Sequence, residues 1–347
     1  MIEAQMDPRY DSADMRKPTK TNPLPLVGVV AIGRNEGMRI DTCIRSAVTL
    51  TAMVLYVDSG STDDSVLLAE SAGAQIVGLD MGLPFTAARA RNQGYRRLRQ
   101  LAPELSYVQF VDGDCEIEAD WIETASAFLD LNQDVAVVCG RRRERFPSRS
   151  IYNKLCDMEW DTPIGQTKAC GGDALIRADA FEQIGGYRED LIAGEEPELC
   201  LRLRTAGWKV WRLDAEMTKH DAAIVHFSQW WRRHVRSGYA FAQGAYLHGR
   251  TPERHWVWET LRALFWGTTL PIVSLLALSL FGPWGLLPLL IYPLQFARRL
   301  AQRSESLGTR SQLTFFELLT RFPESSGVFT FMRDLGLGRH GRLIEYK

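Results

Sequence analysis

Two aspartates one residue apart, Asp112 and Asp114, stand either side of Gly113. Carboxylates at that spacing can both turn toward one hard divalent cation. Mg²⁺ or Mn²⁺ held by so few protein oxygens keeps waters and is completed by substrate phosphates. The chemistry implied is a metal that holds a diphosphate. Asp-Gly is also common surface-turn chemistry, so the pair draws its meaning from the rest of the chain. A second acidic group, Glu195, Glu196 and Glu198, follows Gly194. Carboxylates there suit the positive end of a helix. One of them could instead act as a general base and take a proton from a hydroxyl.

The elements that must position these groups are readable. Residues 107–111 form an apolar, β-rich run that ends at the aspartates and reads as a buried strand. In open α/β sheets, ligands bind beyond the C-terminal ends of strands. The runs 26–32 and 53–57 read as strands that end likewise, in Gly33-Arg34-Asn35-Glu36 and in Asp58-Ser59-Gly60-Ser61. Ile40, Cys43, Ile44, Ala47 and Val48 repeat at helical spacing between them. A helix starting near Asp63, a short strand over 74–77 and a basic helix over 86–101 follow, the last with Arg89, Arg91 and Asn92. A helix over 121–131 and a strand over 135–139 continue the alternation. Such alternation implies βαβ units and a parallel sheet, with its three polar loops on one edge. The first strand carries no G-x-G-x-x-G loop, and the chain has no P-loop. A diphosphate would therefore be held by metal and basic side chains.

Beyond residue 140 the pattern loosens. Residues 141–145 lead into an irregular stretch with a helix over 151–160. Cys170-Gly171-Gly172-Asp173 precedes a strand over 174–177, and glycines there would let a substrate approach the backbone. A helix over 178–184 ends at Gly185-Gly186, another opens at Gly194, and a strand spans 208–213.

Four stretches, in order, resemble family 2 glycosyltransferases of the GT-A fold. They are V-V-A-I-G-R-N-E, V-D-S-G-S-T-D-D-S, V-D-G-D, and G-G-D-A-L-I-R with G-G-Y-R-E-D and G-E-E-P-E-L-C-L-R. The resemblance covers roughly 27–221. It implies an inverting transferase, dependent on Mg²⁺ or Mn²⁺, that moves a sugar from a nucleotide-sugar donor to a hydroxyl. Ile32, Arg34, Glu36, Asp58, Ser61, Arg89, Asn92, Asp112 and Gly113 would meet the nucleotide, with Arg91 an alternative to Arg89 for phosphate. Asp112 and Asp114 would serve the metal. His220 would complete its shell, with His226 the weaker choice. The family reads Glu-Asp where this chain has Glu195-Glu196, so Glu196 is the expected base and Glu195 the alternative. Gly172 and Asp173, with Gln229 and Arg232 from a loose Q-x-x-R-W likeness, would face acceptor or diphosphate. A non-catalytic subunit of a membrane assembly and a sugar nucleotidyltransferase are the competing readings.

Bulk properties set the remaining bounds. A net charge of −1 gives no global attraction to nucleic acid. Six scattered cysteines, without C-x-x-C spacing, read as reduced thiols of a cytosolic compartment. Residues 1–24 read as a disordered tail without a signal peptide. The catalytic domain is expected over 25–224, with a nucleotide-binding half to 140 and an acceptor half after it. Residues 225–260 read as an amphipathic helix on a membrane surface, or alternatively as a buried scaffold helix. No charged residue occurs from 263 to 297, and arginines flank both ends. A hairpin over 261–300 that dips into the bilayer from the cytoplasm is expected, with a single span as the alternative. Residues 301–347 would return as a cytoplasmic tail. With the resemblance, these features imply a place on the cytoplasmic face of a bacterial inner membrane and a lipid-linked or glycan acceptor.

Overall fold

The computed structural model describes residues 26–338. The expected tail over 1–24 and residues 339–347 lie outside the described residues. β1 (Val27–Gly33) is buried on both faces. α1 (Met38–Val48) turns Ile40, Cys43, Ile44 and Ala47 inward, while Val48 at its end stays exposed. β2 (Val54–Asp58), α2 (Ser65–Ser71), β3 (Gln75–Gly78), α3 (Ala87–Leu101) and β4 (Tyr107–Asp112) complete the expected alternation. Thr86 starts α3, its hydroxyl accepting the Arg89 backbone N–H at 3.1 Å.

The second part adds β5 (Cys115–Ile117), α4 (Trp121–Leu131), β6 (Val135–Glu144), α5 (Ile151–Glu159), β7 (Gly165–Thr167), β8 (Ala174–Arg177), α6 (Ala178–Gln183), α7 (Glu195–Thr205) and β9 (Lys209–His220). All nine strands join one sheet in the order β3-β2-β1-β4-β8-β6-β9-β5, with β7 on β9. β1 to β4 are mutually parallel, β8 enters antiparallel, and β6 and β9 run parallel to each other. One core runs from Val27 to Met217, so a border at residue 140 cuts through β6 and separates no independent units.

Two strands are longer than expected. β6 continues from Cys139 through the arginines to Glu144, and β9 continues from Leu213 to His220. Their extensions pair with each other, with register shifts around Gly140 and Arg141. The arginines sit in a strand because carboxylates meet them: Asp173 and Asp112 meet Arg142, and Asp157 meets Arg141 and Arg143. The short strands β5 and β7 were not expected.

α8 (Phe227–His248) follows, and its packing favours the scaffold alternative. Trp230 is buried beside Tyr152 of α5, and Arg233 pairs with Glu159 at 2.8 Å. α9 (Val257–Leu264), a π-helical turn at Phe265–Thr269, α10 (Leu270–Phe281), a 3-10 stretch at Gly282–Leu290 and α11 (Ile291–Ala301) form the apolar region. α12 (Leu307–Leu319) and α13 (Arg321–Gly336) close the fold. α13 crosses α8 where Gly238 leaves room: a Cβ there would lie 1.9 Å from the Glu324 carbonyl oxygen. Tyr239, Ala242, Ala263, Val328 and Phe331 fill a second core at this crossing.

The run Val257–Ala301 is long and apolar enough to cross a membrane, yet it is not one rod. It reverses at Gly282, whose φ of 58° is left-handed. Gly285 then packs on the α10 backbone, where a Cβ would meet the Ala277 carbonyl carbon at 2.2 Å. The Tyr292 hydroxyl donates to the Trp266 carbonyl oxygen, and the two rings lie 5.7 Å apart. The two arms therefore return to the same end as a hairpin. Its turn exposes Leu280, Phe281 and Trp284.

Candidate active site

The C-terminal ends of β1, β2 and β4 bring three loops to one edge, as the parallel register requires. The first two are laced together. Asn35, at φ 55°, donates its backbone N–H to the Ser61 hydroxyl at 2.9 Å and accepts the Thr62 N–H at 2.8 Å. The Ser65 hydroxyl takes the backbone N–H groups of Glu36 and Gly37, each at 2.9 Å. Asp58 accepts from the backbones of Gly60 and Ser61 and from the hydroxyls of Ser61 and Tyr56. Asp58 and Ser61 thus hold the shape of their own loop at the edge expected for the nucleotide. The Arg34 guanidinium lies over the Phe85 ring at 4.7 Å, and Glu36 pairs with Arg39 at 2.8 Å. Ile32 contributes its carbonyl oxygen, which accepts the Gly113 N–H at 2.8 Å.

Asp112 is gripped from two sides. Arg91 Nη2 meets its Oδ1 at 2.8 Å, and Arg142 Nη2 meets its Oδ2 at 3.3 Å. Arg142 is itself held by Asp173, which has no solvent exposure and also accepts the Thr218 hydroxyl at 2.6 Å. Asp173 Oδ1 accepts the Asp112 backbone N–H at 3.1 Å. Asp173 therefore braces the centre from below. Gly172 is pressed against it, for a Cβ there would lie 2.6 Å from Asp112 Oδ2.

Asp114 faces elsewhere. β5 begins at Cys115, which pairs with His220 of β9. That pairing draws Asp114 to β9, with His220 Nε2 3.2 Å from its Oδ1. Asp114, Cys115 and His220 offer donor atoms within 4.8 Å of one another, as do Asp112, Cys115 and Asp173. Among the described residues neither group holds both aspartates. The Asp114–His220 pair suits a hard divalent ion. Burial, then Arg142, lowers the His220 pKa to about 4, so its ring is neutral and able to ligate. Its buried Nδ1 has no hydrogen-bond partner. Burial, then Asp173, keeps the Cys115 thiol protonated and a poor ligand.

The first turn of α7 completes the arrangement. Arg91 Nη1 meets Glu195 Oε1 at 2.9 Å and Glu196 Oε1 at 3.2 Å. One buried guanidinium thus joins Asp112 to both glutamates. Burial, then the charge of Glu195, raises the Glu196 pKa to about 7. A carboxylate poised there can accept a proton near neutral pH.

Several expected residues do other work. The Arg89 guanidinium donates to the carbonyls of Asp80, Leu83 and Pro84 and clamps that loop. Asn92 bonds the Tyr187 backbone in both directions, at 2.8 and 2.9 Å, and Glu189 at 3.0 Å. Gln229 caps the start of α8 through the backbone N–H groups of Val225 and His226, each at 2.9 Å. His226 is exposed at that cap, and Arg232 is exposed on α8. In the sequence Arg142 is one arginine of a basic cluster, and nothing local marks Trp160. The Trp160 ring meets the His220 ring edge-on at 4.7 Å and lies under the Arg142 guanidinium at 5.4 Å.

A mostly parallel sheet with carboxylates at its strand ends is the arrangement of the GT-A fold. The chain matches the family model for glycosyl transferase family 2 over residues 29–185. It is 23% identical over 268 residues to the succinoglycan biosynthesis protein ExoA of Rhizobium meliloti (strain 1021), covering 72% of this chain and 80% of that protein. Among solved structures it resembles the mannosyltransferase PcManGT from Pyrobaculum calidifontis, solved with GDP-Man and Mn²⁺. That likeness has a TM-score of 0.55 at 19% identity, over 89% of this chain and 88% of the other. It also resembles S. aureus TarS 1-349, with a TM-score of 0.50 at 15% identity, over 91% and 93% of the two chains. These structural likenesses speak to the fold.

Proposed function

We propose that this glycosyltransferase inverts configuration, using a nucleotide-sugar donor and a lipid-linked or polysaccharide hydroxyl as acceptor. The observation that carries this is Arg91, which binds Asp112 and Glu195–Glu196 at once. The leaving diphosphate and the acceptor hydroxyl then share one buried cation. Glu196 takes the acceptor proton as the acceptor oxygen attacks the anomeric carbon. The bond from that carbon to the diphosphate breaks on the opposite face, and the electron pair leaves with the diphosphate. Arg142 and Arg91 fix Asp112, and Asp173 fixes Arg142. Asp114 and His220 would hold a divalent ion, Mg²⁺ or Mn²⁺, which offsets diphosphate charge when bound. Gly33–Glu36 and Asp58–Ser61 frame the nucleoside.

The hairpin supports a place at the cytoplasmic face of the bacterial inner membrane. α10 has 12 residues, about 18 Å of helix, against a hydrocarbon core of about 30 Å. It would enter the near leaflet and return. A lipid-linked acceptor would then present its hydroxyl beside the site.

A panel of nucleotide sugars, with and without Mg²⁺ or Mn²⁺, tests the reading. One donor should be hydrolysed slowly to nucleoside diphosphate, and chelation should stop it. Hydrolysis undiminished by chelator would remove the metal from the reaction.

A further inference from the structure

Residues 248–256, from the last residue of α8 to the start of α9, run along α7, whose first turn carries Glu195 and Glu196. They hold that helix at three places. His248 Nε2 meets Glu198 Oε1 at 3.0 Å. Glu253 takes Arg204 in a two-point pair at 3.1 and 2.6 Å. The Trp256 indole fills a slot between two glycines. A Cβ on Gly194 would lie 2.4 Å from Trp256 Cη2, and one on Gly244 would lie 2.5 Å from Cε3. His255 stacks on the indole at 4.4 Å, and Phe241 meets it edge-on at 5.3 Å.

Both backbones at this contact are unusual. Gly194, the residue before Glu195, has φ 78°. Trp256 has φ 55°, a left-handed conformation that a bulky side chain rarely adopts. Such strain persists where the surroundings over-determine it, and it clusters at functional sites. Here it delivers a large rigid ring against the residue that immediately precedes the first turn of α7. None of these contacts involves Arg91, Asp112 or the nucleotide edge.

We propose that Trp256 is a positioning residue for the base: its indole wedges Gly194 and so directs Glu195 and Glu196 onto Arg91. The inference rests on the reading of Glu196 as base. It also ties the base to the hairpin, because Trp256 immediately precedes α9. Tryptophan packed only to fill a core would loosen the molecule broadly when removed. A wedge loosens α7 first.

Hydrogen exchange on the full chain without ligand tests the wedge directly. In Trp256→Ala, amides of 194–200 should exchange at least about tenfold faster while those of 107–114 stay as in wild type. With the nucleotide sugar that the wild-type protein prefers in the hydrolysis panel, kcat for hydrolysis, in which water takes the acceptor's place beside Glu196, should fall about 100-fold, as misplacement by about 1 Å can cause. The donor KM should stay within about twofold. Trp256→Phe withdraws the ring tip from Gly194 but keeps the Gly244 side filled. It should give intermediate values, and it carries the test if Trp256→Ala fails to fold. Unchanged exchange at 194–200, or an equal rise throughout the chain, overturns the wedge. So does full kcat in a variant whose α7 start is loosened. If exchange and kcat respond as expected while Glu196→Gln remains active, the wedge stands and the base assignment falls.

Discussion

Arg91 shares one positive charge among three carboxylates, and its own exposure is 2%. Arg91→Met would leave Asp112, Glu195 and Glu196 mutually repelling in a buried space. Breaking a buried pair from one side costs about 3–5 kcal/mol. Denaturant titration should show a loss of that order, and transfer should cease. Stability within 1 kcal/mol of wild type, taken roughly as measurement scatter, would show that the carboxylates neutralise each other by another route. Glu196 gives a pH signature. Its pKa is raised to about 7, so the base is protonated and idle below that pH. Activity should climb through a limb near pH 7, and Glu196→Gln should lower the rate by about 10²–10⁴ while sparing donor affinity by calorimetry. A wild-type profile flat from pH 5 to 9 would count against Glu196. The carboxylates were legible because two aspartates at a strand end form a short, local pattern. The arginines were not. Arg89 and Arg91 are two apart on α3, about 200° around a helix, so only one can face the site. The sequence does not show which until α3 has a rotation.

At the scale of elements, the hairpin is the clearest test. Gly285 sits against the α10 backbone with no space for a side chain. Gly285→Leu should spread the two arms and break the Tyr292–Trp266 contact. Flotation with vesicles of phosphatidylglycerol and phosphatidylethanolamine should recover wild-type protein with the lipid. Recovery should drop severalfold for the variant while the melting of the catalytic domain is unchanged. Equal flotation of the two proteins would mean that the arms need not pack for membrane binding. The reversal was legible because Gly282-Pro283 interrupts an otherwise uncharged run. The sequence left α8 open between an interfacial and a scaffold helix because its aromatic and arginine mixture looks the same whether lipid or protein covers it. Tyr152, Phe316 and Glu159, distant in sequence, are what cover it. β5 and the far half of β9 escaped notice because three residues, or a charged strand, carry no period to detect.

For the whole molecule, buried histidines give an acid-side liability. His234 of α8 has its pKa lowered to about 4, by burial first and then by Arg233. The native ring refuses a proton that the unfolded chain accepts near 6.5. The stability it contributes is therefore present above pH 6.5 and is lost as pH falls toward 4. His220 behaves likewise, again with a value near 4. Glu144 and Glu324, raised by burial, act in the opposite direction, so the effect is best read as a difference. His234→Gln should narrow the loss of stability between pH 6.5 and pH 5 by at most about 2 kcal/mol relative to wild type. Identical pH slopes for the two proteins would place the acid sensitivity elsewhere.

The register shifts in β6 carry a consequence for how this chain can change over time. Side chains on a strand alternate sides, so an arginine's direction is a matter of odd or even position. The irregularity between Cys139 and Arg142 resets that count just before the active site. Arg142 then points to Asp173 and Asp112, while its neighbours Arg141 and Arg143 reach Asp157. Loss of a single residue at Gly140 would exchange odd for even. It would present a different arginine, one paired with Asp157 of α5, without altering composition or charge beyond that one glycine. Most point substitutions in this strand are graded errors. A one-residue deletion there is a frame error in three dimensions, and lineages carrying this enzyme should tolerate insertions on every side of 139–142 sooner than within it.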